Sequence, residues 1–276
     1  MRKFVYGVIL LLVFANVAVW PYVLKAKTMQ VTFFDVGQGD AIFIETRQGH
    51  QILIDGGPNN AVVEKLGQAL PFADKSLDLV VLTHPDADHI TGLVGVLEAY
   101  DVENVLWTGV EKETNIFASW QAALRQERAN IWLVNDPQTI RWSQSSKERL
   151  DVLYAADQAA EVNDTSVVTK LVFGETSFLF PGDITSKIEQ EMLQQDINID
   201  ADILKIPHHG SKYSSMENFL AAVSPSIAVI QVGKNSYGHP TPEALERLGH
   251  IPVLRNDQIG DIIIQSNGNA ITTNHN

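Results

Sequence analysis

Four apolar runs in this chain end abruptly at acids or histidines, and that repetition limits the folds open to it. Leu79-Val80-Val81-Leu82 runs into Thr83-His84-Pro85-Asp86-Ala87-Asp88-His89. Ile52-Leu53-Ile54 stops at Asp55-Gly56-Gly57, Phe178-Leu179-Phe180 at Pro181-Gly182-Asp183, and the run 201–206 at Pro207-His208-His209-Gly210-Ser211. Short apolar runs bounded by turn residues read as buried strands. A buried strand that ends at a polar cluster delivers it to a loop at the edge of a sheet, where a rigid scaffold commonly holds functional groups.

The segments between these runs carry helical spacing. Helices are predicted over 60–70, 91–100, 116–128, 185–194, 214–223 and from Thr241, where Pro242 suits a first-turn position. Further strands are predicted over 31–34, 41–45, 102–107, 130–134, 150–154, 167–173 and 227–232, near Val253 and over 262–264. Gly37 and Gly39 mark a tight turn ahead of Asp40, and Gly174-Glu175 a hairpin. Strands alternating with helices predict an α/β fold.

The first 27 residues read differently. Arg2 and Lys3 precede an apolar run over 4–20 broken only by Gly7 and Asn16, and no A-x-A cleavage site follows. This is the pattern of an uncleaved signal anchor, with a cleaved signal peptide as the alternative. Cations on the inner side would leave the rest of the chain outside the cytoplasm, membrane-anchored, or secreted or periplasmic after cleavage. The expected organisation is therefore a hydrophobic helix over 1–27 and one domain over 28–276.

Composition removes several function classes. The chain has no cysteine, so thiolate metal sites, thiol chemistry and disulfides are excluded. Its net charge of −13 is the opposite of the basic excess with which proteins grip phosphates by charge alone. A nucleic-acid substrate would need a local basic patch or metal ions. Imidazole and carboxylate without thiolate suit zinc, manganese or iron.

His84-x-Asp86-x-Asp88-His89 resembles the H-x-[HD]-x-D-H signature of the metallo-β-lactamase superfamily. Leu53-Ile54-Asp55-Gly56-Gly57, that cluster, Phe180-Pro181-Gly182-Asp183 and a late histidine follow the family's order. More narrowly, the segment 34–40, the segment 84–92, Pro207-His208-His209-Gly210-Ser211 and Tyr237-Gly238-His239-Pro240 resemble the hydrolase domain of ComEC, the competence DNA-uptake family. The resemblance covers nearly all of residues 29–265.

It implies an αββα sandwich of two mixed sheets with helices outside. It implies metal ligands His84 and Asp86 at a first site, Asp88 and His89 at a second, Asp183 bridging, His208 completing the second site, and Asp55 orienting a ligand. One or two divalent ions, Mn²⁺ or Zn²⁺, are the implied cofactor. Asp88 would orient or deprotonate water, and His209, Ser211, His239 and Lys205 would stabilise charge or protonate a leaving oxygen.

The sequence departs from the superfamily pattern twice. Asp86 stands where histidine is usual, and Asn163-Asp164-Thr165-Ser166 stands where a middle histidine is expected. The first site is therefore poorer in nitrogen. The implied activity is metal-dependent hydrolysis of phosphodiesters, DNA first. Hydrolysis of small esters, lactones or β-lactams, and a catalytically weakened binding module at the membrane, are the alternatives. A DNA-uptake role would need a partner that supplies the channel.

Overall fold

A computed structural model of the chain describes residues 28–143 and 146–274. The predicted hydrophobic helix over 1–27 lies outside them. Among the described residues no helix is long and apolar enough to cross a membrane.

Among the described residues fifteen strands form two sheets. The first runs, in spatial order, β15 (Ile271–Asn274), β14 (Ile262–Ser266), β1 (Met29–Phe33), β2 (Ile42–Glu45), β3 (Gln51–Ile54), β4 (Ser76–Val81), β5 (Asp101–Trp107) and β6 (Asn130–Leu133). The second runs β13 (Val253–Arg255), β12 (Ile227–Ile230), β11 (Ile203–Lys205), β10 (Thr176–Phe180), β9 (Val168–Phe173), β8 (Glu148–Tyr154) and β7 (Gln138–Ile140).

Side-chain alternation builds four layers from these sheets. Ile52, Ile54, Leu79 and Val81 enter a core shared with Phe178, Phe180 and Ile203 of the facing sheet. Leu53 and Val80 point the other way, into a core with Leu66, Leu93 and Trp120 of the outer helices. Leu179 and Leu204 do the same on the far side, against Ile188, Met192 and Phe219. Strands buried on both faces need near-continuous apolar sequence, as the runs 52–54, 79–82 and 178–180 show. The architecture is the αββα sandwich that the family resemblance implies.

Strands β3 to β6 are mutually parallel, as are β10 to β13. Their C-terminal ends therefore share an edge in each sheet, and ligands bind outside such ends. Cross-sheet bonds bring the two edges together. Val167 N donates to Thr83 O at 3.0 Å, and Gln231 Nε2 donates to Ala41 O at 3.0 Å.

The helix predicted from residue 91 spans Ala87–Ala99, with Asp86 at its N-cap in an extended conformation. It lies very close to the turn after β3. Gly56 N donates to His89 O at 2.8 Å and Gly92 N to Gly57 O at 3.0 Å. A Cβ on Gly92 would sit 1.9 Å from Gly56 O. Gly92→Ala should thus push the helix off the sheet, lowering stability by about 3 kcal/mol, the upper end for overpacking. A urea denaturation midpoint equal to wild type would refute this.

Candidate metal centre

Each strand end contributes to one buried cluster. The turn after β3 holds Asp55 at a φ of 59°. Its Oδ1 accepts Thr83 N at 2.8 Å, and its Oδ2 accepts Thr83 Oγ1 at 2.6 Å and His89 Nδ1 at 2.8 Å. Because the Thr83 hydroxyl donates to Asp55, its oxygen is left to accept from His84 Nδ1 at 3.1 Å. One buried carboxylate thereby orients two imidazoles, directly for His89 and through Thr83 for His84. His209 is oriented separately, its Nδ1 lying 2.8 Å from Gln231 O.

The three opposite ring atoms, Nε2 of His84, His89 and His209, are buried and have no hydrogen-bond partner among the described residues. They converge with carboxylates. Asp183 Oδ2 lies 3.3 Å from His89 Nε2 and 3.2 Å from His209 Nε2. Asp88 Oδ2 lies 3.3 Å from His209 Nε2. Candidate ligand atoms fall within 4.8 Å of one another in the groups His84–His89–Asp183 and Asp88–His89–His209. Orphaned polar atoms at this depth are costly, and nitrogen and carboxylate oxygen are the donors of zinc, manganese and iron sites. The residues fit a divalent cation.

The electrostatics point the same way. Asp40 and Asp183 share one buried ammonium, that of Lys205. Burial opposes a charged imidazole at His89, but Asp183 and Asp55 outweigh it and raise its pKa well above the usual value. His209 is raised in the same way by Asp183 and Asp40. Burial and its neighbour His89 push His84 down to about 4, so it is neutral at pH 7. Burial disfavours ionised Asp183 and Asp88, yet the surrounding cations and imidazoles hold both carboxyls below the usual range.

The turn that supplies His209 is strained. His208 and His209 both have a φ of 52°, a conformation that side chains other than glycine rarely adopt. Such strain costs of order 1–3 kcal/mol per residue and persists where the surroundings over-determine it. The two rings diverge, with an interplanar angle of 78°. His209 meets Asp88 and Asp183. His208 lies outside the ligand groups, its ring nitrogens 3.3 and 3.4 Å from Asn163 Nδ2. The resemblance implies a ligand role for His208; among the described residues it is the neighbouring His209 that falls in a group of candidate ligand atoms.

The other expected residues are placed as follows. Asp86 is outside the ligand groups, with Oδ1 2.6 Å from Lys112 Nζ and Oδ2 4.0 Å from His84 Nε2. Lys205, expected to face substrate, is fully buried. It donates to Gly182 O at 2.9 Å and Asp183 Oδ1 at 3.0 Å and pairs with Asp40. Ser211 is buried and accepts from Tyr213 N at 3.3 Å, closing its own turn. His239 is half-buried, its ring 5.4 Å from that of His208 and its Nδ1 unpartnered.

Residues 163–166, which replace the middle histidine, support the centre from behind. Ser166 Oγ accepts Asp183 N at 3.1 Å and lies 3.4 Å from His84 Nδ1. Asp164 accepts Thr185 Oγ1 at 2.7 Å, at the start of the helix Ser186–Gln194.

Thr83 and Gln231 were not singled out from the sequence. Gln231 had a signal, a polar residue inside the apolar run 227–232. Thr83 had none beyond its neighbour. Asp55→Ala should leave the sandwich folded but lower metal affinity about 10- to 100-fold, the usual cost of losing a residue that orients a ligand. Competition against a chromophoric chelator reads this directly, and unchanged affinity would deny Asp55 that role.

Residues 34–234 match the family model described as "Metallo-beta-lactamase superfamily". The chain is 34% identical over 255 residues to ComE operon protein 3 of Bacillus subtilis (strain 168), covering 84% of this chain and 32% of that protein. It is 30% identical over 245 residues to competence protein ComA of Neisseria gonorrhoeae, covering 87% of this chain and 33% of that one. The chain thus spans about a third of the length of these relatives. Among solved structures it resembles YhfI of Bacillus subtilis, described as a metallo-beta-lactamase fold protein. The TM-score is 0.59 and the identity 11%, over 87% of this chain and all of that one, a likeness of fold alone.

Proposed function

The chain belongs to the metallo-β-lactamase superfamily, and on that premise we propose that it is a metal-dependent hydrolase of phosphodiesters, with DNA as its substrate. The observation that carries the metal reading is the set of three buried Nε2 atoms without partners, facing Asp88 and Asp183. The DNA reading is supported by the similarity to competence proteins.

We assign the holding of the metal to His84, His89, His209, Asp88 and Asp183, with Mn²⁺ or Zn²⁺ as the ion. A divalent cation there would supply Lewis acidity, favouring deprotonated water near neutral pH and polarising a phosphoryl oxygen. The protein's own residues divide the remaining work. Asp55 fixes the His89 tautomer, and Thr83 passes that constraint to His84. Asp88, the least buried of the ligating groups, is placed to orient a water at the open side. Lys205 neutralises Asp40 and Asp183 from behind and does not reach substrate. His239 is the remaining donor for a leaving oxygen. Burial and the neighbouring His208 lower its pKa to about 4, so it would act as a neutral hydrogen-bond donor.

Residues 1–27 would tether the domain outside the cytoplasm, and a partner would supply any DNA channel. The test is an activity screen of the metal-loaded chain against DNA, a simple phosphodiester and a β-lactam. Cleavage of DNA that is lost in Asp88→Ala and in chelator is expected. Full DNA cleavage in either, or β-lactam hydrolysis alone, would overturn the proposal.

A further inference from the structure

We propose that Tyr213 and Tyr237, with Lys212 and Lys234, form a track beside the metal centre for an unpaired DNA strand, the two tyrosines serving as platforms on which its bases stack. The inference rests on the phosphodiester reading and adds to it the form of the substrate.

Tyr213 and Tyr237 are 62% and 72% exposed. Tyr213 is four residues after His209, and Tyr237 is two residues before His239. A succession of ring contacts joins Tyr237 to the centre. Its ring lies 5.8 Å from His239, which lies 5.4 Å from His208, then 6.4 Å to His209, 5.5 Å to His89 and 4.2 Å to His84. The path starts among candidate ligands and ends at an exposed aromatic face.

The two loops are fixed and adjoining. Asn235 holds the second one, donating to Gly233 O and His239 O at 2.9 and 2.8 Å and accepting from Tyr237 N and His239 N at 3.1 Å each. Thr241 N donates to Gly210 O at 2.9 Å, and Arg247 Nη2 to Lys212 O and Ser214 O at 3.0 and 2.8 Å, clamping the first loop to the helix Pro242–Leu248. A large aromatic presented to solvent by a pinned backbone loses little freedom when a flat partner covers it.

Charge completes the pattern. Lys212 Nζ sits 5.2 Å from the Tyr213 ring centroid, and Lys234 lies three residues before Tyr237. Both lysines are exposed, and among the described residues neither is in an ion pair. In a chain of net charge −13 these are cations left free for an anion. Aromatic faces interleaved with lysines bind single strands, because stacking needs open base faces and lysines follow the phosphates. A duplex keeps its base faces stacked on one another.

The experiment is fluorescence anisotropy on the full 276-residue chain, metal-free in chelator, with labelled oligothymidylate, an abasic oligomer of equal length, and a duplex. Tyr237→Ala and Tyr213→Ala should each weaken oligothymidylate binding about tenfold, within the range for one stacked base. The abasic oligomer and duplex should be unaffected by either, and Tyr237→Trp should restore binding. Lys234→Ala and Lys212→Ala should weaken the base-bearing and abasic strands alike.

Equal losses for both single strands in the tyrosine variants, no loss, or no binding by the wild type would overturn the track. Cleavage by the metal-loaded chain is read separately. Base-dependent binding without cleavage supports the track and sinks the hydrolytic reading. Cleavage without base-dependent binding does the reverse.

Discussion

Asp183→Ala should leave the chain unable to retain a divalent cation and without measurable hydrolytic activity. Its carboxylate has contacts on both sides. Oδ2 faces Nε2 of His89 and of His209 within 3.3 Å, and Oδ1 accepts from Lys205 Nζ and from His208 N at 3.2 Å. Removing it takes away an oxygen within 3.3 Å of both imidazoles and leaves Lys205 with Asp40 as its remaining carboxylate. The loss in metal affinity should exceed the roughly 10- to 100-fold typical of residues that only orient ligands. Elemental analysis after gel filtration, beside the hydrolysis assay, separates loss of metal from loss of fold. Metal retained at the wild-type ratio would remove Asp183 from the centre.

That Asp183 stands at the end of a buried strand was readable from the chain, and the reason is general. An apolar run that ends in an acid fixes where the acid goes, because both faces of the strand must be covered. Asp55 and Asp183 follow this rule just after β3 and β10, and His84 does the same for an imidazole just after β4. The same rule fails where burial is slight. Gln138–Ile140 and Ile271–Asn274 are short edge strands with little apolar sequence, and neither was predicted.

Two site features could not be read because the information is conformational. His208 and His209 are adjacent and chemically identical, and only the pair of φ angles near 52° decides which ring meets Asp183. Asp86 has ligand chemistry in a ligand position, but its pairing with Lys112, 26 residues on, is a tertiary fact. The start of the helix Ala87–Ala99 was placed four residues late because a cluster of acids and histidines reads as loop, although Asp at the N-cap and in the first turn is favourable there. Lys205 is different. It shares strand parity with Ile203, which packs between the sheets, so its inward direction was available from alternation.

Lys205→Met should show what that inward direction is for. Burial opposes the charged ammonium, but Asp183 and Asp40 outweigh it and raise its pKa, so the group stays charged. With the ammonium gone, the buried Asp40 and Asp183 carboxylates lose the lysine they share. Breaking a buried pair in this way costs about 3–5 kcal/mol, read as a lower denaturation midpoint in chelator. Two further measurements separate this cause from simple misfit of methionine. Adding Asp40→Asn to Lys205→Met should recover part of the loss, because one stranded charge disappears, so the two changes should be non-additive. Divalent metal should raise the midpoint of Lys205→Met more than that of wild type, since binding to the folded state would also supply the missing positive charge. Additive single effects and equal metal responses would reduce Lys205 to a packing residue. The expected pattern would make it a resident cation that keeps the carboxylates ordered before any metal arrives.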